Sequence, residues 1–162
     1  MAPGMRRAFP LVVALALLGA SVVRAQSIDT EIAERVAEVQ SATDPSTRID
    51  RAAHLAEYIA SRGPLDVANV EPPIVDGMAE LLEDNADLVR FYAAASLGFL
   101  GPSARRAIPA LEKALEQREE ERGIVSGQPR VFTSPVSSLL AICAALTKID
   151  LSRVPQSCQT YR

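Results

Sequence analysis

The sequence predicts an all-α fold, and three observations carry the prediction. Apolar residues recur at i, i+3, i+4 and i+7 in one stretch after another. Proline opens several of these stretches, as at Pro45 and Pro72, and glycine closes others, as at Gly63 and Gly101, the asymmetry expected of helix ends. There is no Trp, and aromatic residues make up only 4% of the chain, so the core has to be aliphatic and alanine-rich, as in stacked helices.

Residues 1–25 read as a signal peptide and stand apart from the fold. Arg6 and Arg7 supply a positive start, Leu11 to Val23 an apolar run, and Val23-Arg24-Ala25 a small-residue site for cleavage before Gln26. The run is too short, and too soon followed by Arg24, for a membrane span. Arg6-Arg7-Ala8-Phe9 also resembles the core of a twin-arginine signal, although Met5 stands where Ser or Thr is usual, so general and twin-arginine export both stay open. Cleavage would remove three arginines and no acid, taking the formal charge from −3 to −6. Residues 26–162 then form one domain of ordinary size with no integral membrane span and no basic footprint for nucleic acid. The expected location is periplasmic or secreted.

Ser27 to Ala42 reads as an amphipathic helix with Ile28, Ile32, Val36 and Val39 in one stripe, and its polar outer face suits a terminal cap. Asp44-Pro45 is a cap followed by a first-turn proline, opening a helix that runs to about Arg62. Ile49, Ala52, Ala53, Ala56, Ile59 and Ala60 are its expected buried face, with Leu55 and Tyr58 on the flank. Pro72-Pro73 begins the next helix, carrying Ile74, Val75, Met78, Leu81 and Leu82.

The central stretch runs from Asp84 to Gln117. Between Leu88 and Leu100 the only charge is Arg90, and two adjoining stripes, Leu88/Tyr92/Ala95/Phe99 and Val89/Ala93/Leu97/Leu100, predict a helix covered from more than one side. The small residues Ala93 to Ser96 would let a neighbour approach closely. Gly101-Pro102 stops that helix, Ser103 is placed to cap the next segment, and Pro109 falls in the first turn of a helix bearing Ile108, Leu111 and Leu115.

Val89-Arg90, the Ala-rich centre, Leu97-Gly98-x-Leu100-Gly101 and Ala107-Ile108-Pro109-Ala110-Leu111 resemble a HEAT repeat, of the short bacterial kind also found in phycobilin lyases. The resemblance covers residues 84–117 and implies an α-α superhelix. About three HEAT-like hairpins, with an N-terminal capping helix, would then fill residues 26–162. Placing Ile59, Leu97 and Leu146 at equivalent sites gives spacings of 38 and 49 residues and aligns Gly63, Gly101 and Asp150. The third copy starts at Ser134-Pro135, and Leu151 to Arg162 is a short polar tail in place of its second helix. The family's Asp and Arg ladder is not reproduced: Arg90 matches the arginine, but Ala52 and Leu139 occupy the equivalent positions, so Arg90 is read as paired locally with Asp87 or as solvated.

The resemblance implies partner binding, on a concave side lined by the second helices. Asp76, Glu80 and Glu83 share one face there and, with Glu112 and Glu116, form a candidate binding surface or an ordinary solvated one. The loop from Arg118 to Thr133 departs from repeat economy. Its apolar Ile124, Val125, Val131 and Phe132 are read as contacting a partner or packing on the stack. Cys143 and Cys158 form a disulfide on one reading; on the other, Cys143 is a buried apolar filler and Cys158 a free thiol. His54, the lone histidine, has Glu57 nearby but no second ligand or nucleophile. No metal, cofactor or catalytic motif is found.

These features predict an exported, non-catalytic module that binds or scaffolds an unknown protein partner in the bacterial envelope. The alternative, by analogy with HEAT-like lyases, is a small-molecule-binding or lyase-like accessory enzyme.

Overall fold

The computed structural model describes residues 28–63, 66–122 and 138–159, and these are all-α, with no strand among them. The expected signal peptide at 1–25, the loop residues Ile124, Val125, Val131 and Phe132, and the Ser134-Pro135 helix start lie outside the described residues.

Helix α1, residues 28–41, buries Ile28, Ile32, Val36 and Val39, the stripe its spacing predicts. Its polar side reaches α2 (Pro45–Ala60). The Tyr58 ring lies between the guanidinium groups of Arg35 and Arg62, at 4.3 and 4.2 Å, and its hydroxyl donates to Glu31. Arg51 donates to the Glu38 carbonyl at 2.8 Å. Asp44 caps α2 by accepting from the Thr47 amide at 2.8 Å and from the Ser46 and Thr47 hydroxyls, and these bonds hold its carboxyl down at about 2. The buried face of α2 is rotated from the expected one: Leu55 is buried with Ala52, Ala56 and Ile59, while Ala60 is exposed. Leucine removes more apolar surface from water than alanine, so it takes the inward position.

Helix α3 (Pro72–Glu80) starts at its two prolines and buries Ile74, Val75 and Met78, and a 3-10 turn, Leu81–Glu83, adds Leu81 and Leu82 to the core. Helix α4 (Asp87–Leu100) buries Val89, Ala93, Ala94, Ser96, Leu97, Gly98 and Leu100. Gly101, at φ +56°, closes it in the left-handed region that glycine enters without a Cβ penalty. A 3-10 segment, Gly101–Ala107, leads into α5 (Ile108–Arg122). Ser103 does not cap it; its hydroxyl donates 2.6 Å to the Ala68 carbonyl and ties the segment to the preceding loop. Helix α5 also continues through Arg118 to Arg122, which the sequence places in a loop, because Glu, Gln and Arg are good helix formers.

Helix α6 (Ser138–Ile149) is followed by a 3-10 turn, Leu151–Arg153, and by α7 (Gln156–Gln159). Cys143 and Cys158 are joined by a disulfide, Cα to Cα 5.3 Å, which fastens α7 onto α6.

The elements form two layers. Helix α4 lies between α2 and α6 in one, while α3 and α5 neighbour each other in the second and pack against α4 and α6. Helix α1 covers the α2/α3 end, with Val36 against Gly77 and Gln40 donating to Glu80 at 3.0 Å. The aligned residues Ile59, Leu97 and Leu146 are fully buried on α2, α4 and α6.

Candidate functional site

The acids singled out on α3 and the 3-10 turn that follows it sit on an exposed flank, each partnered by a neighbouring helix or segment. Arg106 grips Asp76 with two hydrogen bonds, 2.7 and 2.9 Å, Lys113 pairs with Glu83 at 2.5 Å, and Glu80 accepts from Gln40. On α5, Glu112 is half-buried and Glu116 exposed. This flank is a seam of exposed ion pairs joining α3 to its neighbours, each pair worth about 0–1 kcal/mol.

The densest polar cluster is the corner before α4. Arg48 of α2 reaches the buried Asp84 carboxylate at 3.2 Å, and Arg90 donates to the Asp84 carbonyl at 2.6 Å. Asp87 accepts from Arg90 at 3.2 Å, as the local reading of Arg90 had it, and from Arg118 of α5 at 2.7 Å and Ser138 of α6 at 2.5 Å. Burial alone would raise the Asp87 carboxyl, but the Ser138 hydroxyl and the two guanidinium groups outweigh it and hold the group below its ordinary range. An open polar hollow of about 540 Å³ beside it is lined by Asn85, Arg90, Gln117 and Arg118. Charges from three helices and the Ser138 hydroxyl of a fourth bind one another here, which makes the corner a structural hub.

The apolar feature lies on the layer of α4 and α6. Where α4 and α6 cross, a groove of about 230 Å³ runs between Phe91, Ala95 and Phe99 on one side and Leu140, Ala144 and Lys148 on the other, with Gly98, Ala141 and Ala145 as its floor. The floor is shallow because a Cβ on Gly98 would stand 3.1 Å from the Ala145 Cα, so the two backbones nearly touch. Phe99 and Leu140 remain 41% and 43% exposed, and Leu151, just beyond α6, is 71% exposed. The expectation that α4 is covered from more than one side holds for Val89, Ala93, Leu97 and Leu100 but not for Phe99. The sequence did carry the signal, in the Leu88/Tyr92/Ala95/Phe99 stripe.

Lys148 is the charged residue of the groove lining, and its ammonium rests 4.7 Å from the centre of the Phe99 ring. The same end holds Asp150, whose carboxyl is lowered first by hydrogen bonds from Ser152 and then by Arg105 and Arg153.

Among the described residues, no three His, Cys, Asp or Glu side chains are gathered to hold a metal ion, and no helix is long and apolar enough to cross a membrane. His54 is exposed on α2. Comparison of the chain with protein-family models, curated proteins and solved structures found no match.

Proposed function

We propose that this chain is an exported, non-catalytic binding module, built of HEAT-like helix hairpins, that holds another protein in the periplasm or outside a bacterial cell. The observation that carries the reading is the exposed α4/α6 groove, where Phe99 and Leu140 stand open on two helices fixed by a fully buried core. Exposed apolar residues gathered on a rigid surface are the ordinary mark of a docking site. The Cys143–Cys158 bond supports an oxidising compartment, in keeping with the N-terminal apolar run.

The test is crosslinking and affinity capture of the mature protein from its native envelope, beside a Phe99→Glu, Leu140→Glu variant and a form lacking Ile124 to Arg130. One stoichiometric protein, lost in the groove variant, supports the reading. A co-purifying small molecule with no protein partner would replace it with the carrier or accessory-enzyme alternative. Recovery of a chain beginning at Gln26 from the envelope fraction tests export directly.

A further inference from the structure

Resting on that reading, we infer that the partner enters the α4/α6 groove as a short amphipathic helix whose apolar face fills the groove and whose acidic end lies over Lys148. Three observations converge on this occupant.

The first is size. A volume of about 230 Å³ is below the roughly 300–1,000 Å³ of sites that enclose small molecules, but it suits anchoring side chains of a protein partner. The second is shape. Phe91 and Phe99 stand two turns apart on α4, about 12 Å at 1.5 Å per residue, and Leu140 and Lys148 mark a parallel span on α6. A trough between two helices of that length receives apolar residues at i, i+4 and i+7 of a third helix. The third is charge. The chain as a whole is net negative, yet the one charged side chain in the groove lining is a cation, Lys148. The Lys148 ammonium lies on an aromatic face rather than on an acid, so an incoming carboxylate can take it without breaking an ion pair. A second copy of the chain fits less well, because a stable dimer buries about 800 Å² per partner and this opening is one shallow trough.

The experiment uses the mature protein and two labelled helical peptides of about 15 residues. Both carry leucine at i, i+4 and i+7; one ends in two glutamates, the other in two lysines. Fluorescence anisotropy should show the acidic peptide binding about tenfold more tightly than the basic one. Phe99→Glu should abolish binding of both, and Lys148→Glu should reverse the preference. Both residues are exposed, so circular dichroism of the variants should match the parent. Equal binding of the two peptides, binding that survives Phe99→Glu, or no binding of either overturns the inference. So does a chain that dimerises in sedimentation until Phe99 is replaced, which would assign the groove to a second copy. None of these failures removes the binding-module reading, which stands or falls on the envelope capture.

Discussion

The close crossing of α4 and α6 sets two substitutions, two residues apart on one helix, in opposite directions. Gly98 lies inside α4, where alanine is intrinsically favoured by about 1 kcal/mol. A Cβ at that position would stand 3.1 Å from the Ala145 Cα, 3.4 Å from its Cβ and 3.7 Å from its backbone nitrogen. These are backbone and Cβ atoms that cannot rotate away, so the whole of α6 would have to shift by a few tenths of an ångström. Overpacking of this kind costs about 1–3 kcal/mol, which outweighs the propensity gain and leaves Gly98→Ala destabilising by about 1 kcal/mol. Ser96 is fully buried, and its hydroxyl has no hydrogen-bond partner. Ser96→Ala removes that unsatisfied group and improves helix propensity, so it should stabilise by about 1 kcal/mol. The assay is urea unfolding with thermal melts, where each effect corresponds to a shift of about 3–5 °C. If Gly98→Ala stabilises the protein as much as Ser96→Ala does, the helices are not in close contact there and the crossing is misplaced.

Three further outcomes are expected. Leu97→Ala, at a fully buried site, should cost about 2–5 kcal/mol in the same unfolding assay; a loss under about half a kcal/mol would contradict its place in the core. Asp87→Asn should cost about 1–2 kcal/mol at neutral pH, the low end for bonds to a charged group because the side chain is 34% exposed. Since the folded carboxyl titrates below its unfolded value, its contribution is complete above about pH 4 and fades as pH falls further. Melting curves of parent and variant should therefore converge in acid; a gap that stays constant would remove the charge network as the cause. Replacing Cys143 and Cys158 together by serine frees a crosslink across a sequence separation of 15 and should cost about 3 kcal/mol, seen as a lower denaturant midpoint that reductant no longer changes.

The elements legible in the sequence are those whose signals are local. The Ile28/Ile32/Val36/Val39 stripe, the Asp44-Pro45 cap and the Gly101 stop each reside within a few residues, and the structure has all three. Where the reading departs from the structure, a distant partner made the decision. Ser103 could cap the segment it begins, but the Ala68 carbonyl, 35 residues earlier, takes its hydroxyl. Arg118 reads as the start of a charged loop, yet Asp87 at the corner of α4 gives its guanidinium a fixed partner and α5 runs past it to Arg122.

The same distinction governs the candidate site. Spacing correctly puts Asp76, Glu80 and Glu83 on one exposed face of one segment, but whether that face is available depends on residues 30 to 40 positions away. Arg106, Lys113 and Gln40 come from segments whose register against α3 no single-helix pattern contains. The groove shows the converse. The Phe99 stripe is legible as apolar, and apolar residues are ordinarily assigned to the core. In a two-layer fold, each helix of one layer has neighbours beside it and one layer behind it, so a helix apolar over most of its circumference keeps an uncovered strip facing outward. Helix α4 is the middle helix of its layer and is apolar over most of its circumference, so its surplus stripe becomes surface. Phe99, with Leu140 of α6 beside it, is exposed for the same reason that Leu97, two residues away, is fully buried.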